Sequence, residues 1–343
     1  MQTTPAPIAL TMGDPAGIGP EIALKCWANH RQAMCPDFVF FGSADLLERQ
    51  AAALKCNVPI ERIQDLSKVR GIFPDALPVL DIPLPAPSCP GFADSRNGPA
   101  VMAAIEQAHA AVTNGQASAL VTNPIHKDSL YACGFSHPGH TEYLAALSSI
   151  AHPPVMMLAS KRLRVVPVTI HIALREVSAM LSKATILHAA EVTHQALLSD
   201  FAIERPRLAV AGLNPHAGEG GAMGTEEIDV IRPAVKLLQE RGLCIEEPQA
   251  ADSLFHEQAR DTYDAVLCMY HDQALIPIKT LDFDSAVNVT LGLPIVRTSP
   301  DHGTAFNIAG QDKANPSSLL AALKMAADMA QARSRPHVSS QHD

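Results

Sequence analysis

Ala265-Val266-Leu267-Cys268-Met269-Tyr270-His271 is the stretch from which the architecture can be read. An unbroken apolar run without polar alternation suits a β-strand covered on both faces. This one ends on a histidine. Two other segments repeat the arrangement: Val165-Val166-Pro167-Val168-Thr169-Ile170 runs into His171, and Leu208–Leu213 runs into Asn214-Pro215-His216. Working outward, strands are predicted over Ile8–Met12, Phe38–Gly42, Ala119–Thr122, Val155–Ala159, Leu163–His171, Leu208–Leu213, Ala265–Tyr270 and Ala286–Thr290. Helical patterns fill the intervals over Asn97–Gln116, Leu174–Phe201 (long enough for two helices), Thr225–Gly242 and Pro316–Arg333. Thr225-Glu226-Glu227 puts acids where a helix dipole favours them, and Gly242 stops the helix. Strands alternating with helices predict an α/β protein with mostly parallel sheets. Pro74–Gly91 is rich in proline and reads as a surface excursion, with a short strand at Val79–Ile82.

The bulk numbers narrow the class. The chain has 343 residues, of which 47% are hydrophobic, 18% charged and 4% aromatic, so aliphatic residues fill a sizeable core. The formal net charge of −9 comes without a basic block, which argues against nucleic acid as a partner. An anionic substrate would have to be held by local cations against that field. The seven cysteines, Cys26, Cys35, Cys56, Cys89, Cys133, Cys244 and Cys268, form no CxxC pair and suggest no disulfide framework. No run is long and apolar enough for a membrane helix, and no export signal opens the chain, so a cytoplasmic protein is expected.

Ligands of open α/β sheets gather beyond the carboxyl ends of the strands, and His171, His216 and His271 all fall there. A single histidine in such a place is ordinarily structural. Its recurrence after three strands points to an open metal site with positions left for substrate or water. Asp272 and Asp252 are candidate ligands, or acids that orient a histidine. Gly13-Asp14-Pro15-Ala16-Gly17-Ile18-Gly19-Pro20-Glu21 follows the first strand and opens a helix, a place where backbone amides favour anions. It is not the GxGxxG fingerprint, and read alone it is equally a tight turn. His216-Ala217-Gly218-Glu219-Gly220-Gly221 is a second glycine-rich loop. Lys127, Lys279 and Arg297 supply cations near strand ends for phosphate or carboxylate. His137-Pro138-Gly139-His140-Thr141-Glu142 reads as a helix start with Thr141 as its cap. Asp301-His302-Gly303-Thr304-Ala305-Phe306 is a compact loop whose ligand the spacing does not name.

Taken together, GDPAGIGPE, HPGHTE, NPHAGEGGAMGTEEID, MYHDQALIPIK and NVTLGLPIVRTSPDHGTAF closely resemble the 4-hydroxythreonine-4-phosphate dehydrogenase family, from Gly13 to about Ala330. The resemblance implies an isocitrate/isopropylmalate dehydrogenase-like fold of two three-layer α/β domains around a cleft. Residues 1–125 and 285–333 would form the first, 126–284 the second with metal ligands and dimer contacts, and 334–343 a disordered tail. It also implies a divalent metal (Zn, Mg, Mn or Co) on His171, His216 and His271, shared across a homodimer whose active site lies at the subunit interface. His140, Thr141, Lys279, Asn288 and Arg297 would contact substrate. Gly13 and Asp14, with His302, Gly303, Thr304 and Ala305, would meet NAD or NADP. Lys279, Asp272 and Asp252 are the candidates for proton transfer.

The implied reaction is oxidation of 4-phosphohydroxy-L-threonine at C3, then decarboxylation to 3-amino-1-hydroxyacetone 1-phosphate, in pyridoxal phosphate biosynthesis. Relatives acting on erythronate or threonate 4-phosphate, or on a terephthalate dihydrodiol, are the near alternatives. A non-redox phosphate acyltransferase is the distant one; it has no use for three histidines.

Overall fold

A computed structural model describes residues 6–335 of the chain. The expected tail at 334–343 lies largely outside the described residues. The chain divides into two compact units, one built from residues up to Pro154 together with those from Leu293 onward, the other from Val155–Gly292.

The first unit carries six strands: β1 (Ile8–Thr11), β2 (Phe38–Gly42), β3 (Ile60–Ile63), β4 (Leu77–Asp81), β5 (Ala119–Thr122) and β12 (Arg297–Pro300). They run parallel in the order β3-β4-β2-β1-β5-β12. Their apolar runs are buried throughout, as in Phe38-Val39-Phe40-Phe41, because helices such as Gly98–Thr113 and Ser317–Arg333 cover the sheet. The short strand expected at Val79–Ile82 within the proline-rich stretch is β4, which starts two residues earlier and is an interior strand with Leu77 and Val79 fully buried. Pro78 is tolerated because pairing with β2 begins only at Val79, opposite Phe40, so its missing N–H breaks no bond on that side. Strand β12 was not anticipated. Arg297-Thr298-Ser299-Pro300 is polar yet buried, its polarity met by partners such as the Ala322 carbonyl, which accepts from Thr298 Oγ1.

The second unit holds β6 (Val155–Ala159), β7 (Arg164–Pro167), β8 (Arg207–Val210), β9 (Cys244–Ile245), β10 (Ala265–Cys268) and β11 (Val287–Leu291), in the order β11-β6-β7-β10-β8-β9. Here β6 is antiparallel to both neighbours, and the pairs β7–β10, β10–β8 and β8–β9 are parallel. The ladder ends earlier than the apolar runs do. β7, β8 and β10 close at Pro167, Val210 and Cys268, leaving all three histidines beyond the strand ends. The expected helix at Leu174–Phe201 is broken into Val177–Met180 and Lys183–Ser199, the second capped by a Ser182–Thr185 box. That at Thr225–Gly242 starts as a π-turn, Glu227–Ile231, before the α-helix Arg232–Glu240. Among the described residues no helix is long and apolar enough to cross a membrane.

Candidate active site

Two clusters of functional groups form, one in each unit. In the first unit, the turn after β1 is fixed by its own chemistry. Asp14 Oδ1 accepts from Ala16 N at 2.9 Å, and Asp14 N donates to the Pro124 carbonyl at 2.8 Å. Gly13 has φ +69°, and a β-carbon there would stand 2.5 Å from the Pro124 oxygen, so this glycine is demanded by packing as well as by the turn. The Ile18 amide donates to the Thr304 carbonyl at 3.0 Å, which brings the first glycine loop onto the loop from His302 to Ala305. A side chain at Gly303 would meet no atom within 4 Å, so the backbone there is open to a ligand. Burial raises the Asp14 carboxyl from its ordinary value, against the lowering pull of the Ala16 amide and of His126.

Farther along the same unit an anion site is assembled. Arg297, on β12, is 4% exposed and donates from Nη2 to Thr122 Oγ1 on β5 at 2.7 Å. Burial lowers its pKa to about 10, with Glu142 pulling the other way, so the guanidinium remains a cation at neutral pH. His140 opens the helix His140–Leu147. Burial first, and then the charges of Arg297 and Lys127, hold its imidazole well below the usual histidine range. Its Nε2 is closed off from solvent and has no hydrogen-bond partner within the protein. Lys127 Nζ and Glu142 Oε2 come within 3.9 Å and 3.5 Å of the β-carbon position at Gly139. The helix is capped by Gly139 without a side-chain bond. Thr141 lies one residue inside it and does not cap it as expected, which leaves its hydroxyl available to a ligand.

The His140 shift has a measurable consequence. Its folded pKa is depressed, so the unfolded chain takes up a proton near pH 6.5 that the folded chain refuses. Stability is therefore lost as pH falls below about 6.5. Denaturant unfolding of His140→Gln should show a shallower loss between pH 6.5 and 5, by at most about 1.4 kcal/mol per pH unit. An unchanged slope would mean that His140 titrates normally.

In the second unit, His271 is the first residue of the helix His271–Asp282, and its Nδ1 pairs with Asp272 Oδ1 at 2.7 Å. The rings of His171 and His271 lie 5.7 Å apart between centroids. Two imidazoles sharing one cation at bonds of about 2.0–2.1 Å can adopt that separation. His216 is not gathered with them: among the described residues no group of three His, Cys, Asp or Glu side chains is close enough to hold a metal ion. His171 and His216 both adopt left-handed backbone, at φ +50° and +53°, a conformation that non-glycine residues take chiefly where something else enforces it.

Lys279 lies on the same helix as His271 and Asp272. All three line an open pocket of about 420 Å³, with Leu275, Ile276 and Thr280 completing the wall. Asn288 is half-buried on β11 opposite Leu158. Asp252 is exposed in the turn Ala251–Ser253, away from any bond to these residues.

Two residues of this cluster were invisible to sequence reasoning as site residues. Gln273 is buried; its Oε1 accepts from the Met269 amide at 2.6 Å and its Nε2 donates to the Gly212 carbonyl at 2.7 Å. It thus ties the turn bearing His271 to the segment leading to His216. Glu227, read above as a helix-dipole acid, is 1% exposed and accepts from Asn214 N and Asn214 Nδ2 at 2.8 and 2.9 Å. The only sequence hint was an acid inside an otherwise apolar helix stripe.

Residues 33–326 match the family model described as pyridoxal phosphate biosynthetic protein PdxA. A protein of Methylorubrum populi named 4-hydroxythreonine-4-phosphate dehydrogenase is 52% identical over 337 residues, covering 96% of each chain. The crystal structure of the enzyme of that name from Klebsiella pneumoniae superposes with TM-score 0.87 at 37% identity, covering 96% of this chain and 100% of its own. A terephthalate 1,2-cis-dihydrodiol dehydrogenase from Burkholderia xenovorans is more distant, at 29% identity and TM-score 0.63, with 95% of this chain and 98% of its own covered. With most of its length matched by the model and half its residues shared with such relatives, the chain belongs to the PdxA family of pyridoxal phosphate biosynthetic proteins.

Proposed function

We propose that this chain is a 4-hydroxythreonine-4-phosphate dehydrogenase, linked to NAD or NADP, which oxidises C3 of its substrate and releases 3-amino-1-hydroxyacetone 1-phosphate after decarboxylation. The observation that carries the reading is the convergence of Lys127, His140 and Arg297 in the first unit. A permanently charged, buried guanidinium held in place by Thr122 can grip an anionic group by charge-assisted bonds. A neutral His140 adds a hydrogen bond through a buried Nε2 that the protein itself leaves unmet. The Thr141 hydroxyl and the amides at the helix start add further donors. Lys279 and Asn288 are proposed as additional substrate contacts.

His171, His216 and His271 are proposed to hold a divalent cation, Zn, Mg, Mn or Co, and the His171–His271 spacing fits such a role. When bound, the cation would lower the pKa of the substrate hydroxyl, polarise the nascent carbonyl and stabilise the enolate left by loss of CO2. The proton of that hydroxyl needs an acceptor, for which Lys279 and Asp272 are the candidates beside His271; Asp252 is a third candidate whose exposed position favours it less. NAD or NADP, when bound, would supply the hydride acceptor. Gly13, Asp14 and the loop His302–Ala305 are proposed to meet it, Gly303 because its surface is open.

A homodimer is part of the proposal. Leu174, Ile276 and Phe283 of the second unit are 71%, 64% and 73% exposed, large apolar side chains of the kind a second copy covers. A second copy would also supply the ligand that one chain does not gather beside His171 and His271.

The test is NADH or NADPH formation by chelator-stripped enzyme across a metal series. The substrates to compare are 4-phosphohydroxy-L-threonine, erythronate and threonate 4-phosphates, and the terephthalate dihydrodiol. The phosphorylated amino acid should be turned over best, and only with metal. No reduced dinucleotide from it under any metal would overturn the reading.

A further inference from the structure

The segment carrying His216 is a left-handed turn. His216, Ala217, Gly218, Glu219 and Gly220 have φ of 53°, 51°, 80°, 42° and 68° in succession. For the three that are not glycine this is an unfavourable conformation of an L-residue, and it persists only where the surroundings over-determine it. Backbone bonds contribute: Ala217 N donates to the Asn214 carbonyl at 3.1 Å, Met223 N to the Gly218 carbonyl at 3.2 Å and Ala222 N to the Glu219 carbonyl at 3.3 Å.

A buried carboxylate adds a further constraint. Glu227 is buried, and both its oxygens are engaged by Asn214, two residues before His216; the Asn214 amide also donates to the half-buried Glu226 at 2.7 Å. The same carboxylate is wedged between two glycines of the loop. A β-carbon at Gly212 would stand 3.1 Å from Oε1, and one at Gly218 2.7 Å from Oε2. Gly224 makes room for the Asn214 amide in the same way, at 2.4 Å. Glu227 opens the π-turn Glu227–Ile231, a helix irregularity found frequently at functional sites. Burying a carboxylate is costly unless it is fully bonded. This one spends its bonds on fixing the residue that leads into the strained turn.

We infer that Glu227 is the positioning residue of His216: through Asn214, Gly212 and Gly218 its carboxylate sets the left-handed turn and thereby the place from which the imidazole reaches a divalent cation. This rests on the proposed metal role of His216, and the experiment separates the two. Zn2+ dissociation constants are measured by chelator competition on chelator-stripped, full-length enzyme, together with kcat, KM and the thermal midpoint, for wild type, His216→Ala, Glu227→Gln, Gly218→Ala and Asp229→Asn. Glu227→Gln keeps the volume but turns one acceptor into a donor facing Asn214. Gly218→Ala attacks the same wedge from the loop side. Asp229→Asn removes an exposed charge from the same π-turn.

Glu227→Gln and Gly218→Ala should each weaken Zn2+ about ten- to hundred-fold, the loss typical of a residue that orients a ligand. Excess Zn2+ should restore kcat to these two but not to His216→Ala. Asp229→Asn should bind as wild type does. A folded Glu227→Gln with wild-type Zn2+ affinity, where His216→Ala has lost it, overturns the positioning role alone. So does wild-type affinity in Gly218→Ala if Glu227→Gln fails to fold. Wild-type affinity in His216→Ala overturns the metal role of His216, and the positioning role with it.

Discussion

Arg297→Ala is expected to lower kcat/KM for the phosphorylated substrate by roughly ten- to hundred-fold, chiefly through KM. The bonds a guanidinium makes to an anion are worth about 1.5–3 kcal/mol, and about 1.4 kcal/mol is a factor of ten in rate. The loss should fall on binding because the cation meets the anionic group before and during the reaction alike. The same truncation leaves the buried Thr122 hydroxyl without its donor, so the folded protein should also lose on the order of 1–3 kcal/mol. Arg297→Lys separates the two effects: it keeps the charge but not the fork, and should recover part of the affinity. Substrate kinetics unchanged in Arg297→Ala, with only the stability reduced, would make Arg297 a structural tie between β12 and β5.

His271→Ala should have the larger effect on turnover. Two of the proposed ligands, His171 and His271, meet within one chain, and the variant leaves a single imidazole at that position with Asp272 unpaired beside it. Divalent-metal affinity should fall by more than the roughly 10–100-fold seen when only a residue supporting a ligand is lost. NADH formation should fall with it. His271 is half-buried at a helix start, so the thermal midpoint of the metal-free protein should move little. Direct metal binding on the chelator-stripped variant is the measurement that decides. Wild-type affinity there would remove His271 from the set, whatever the activity.

Sequence reading located the apolar strands because a strand covered on both faces must be apolar throughout, and that demand is local. β2, β5 and β6 appear where the runs are. It missed β12, whose residues are polar and are satisfied by groups far away in the chain, Thr122 and Ala322. It started β4 two residues late, because Pro78, whose missing N–H breaks no bond to β2, reads in one dimension like a proline in a loop.

The candidate residues divide in the same way. That His171, His216 and His271 follow strands was written in the sequence, since each run and its histidine are contiguous. So was the family, through long ordered motifs. What they do with one another was not. The pairing of His171 with His271, the suppressed basicity of His140 beside Arg297, and the burial of Glu227 under the His216 turn all join residues from separate strands and helices. Hydrogen bonds, desolvation and charge act over a few ångströms of space rather than along the chain, so only the folded arrangement fixes their values. The sequence determines which groups are present and at which strand ends; the tertiary structure decides which of them meet, and in which protonation state.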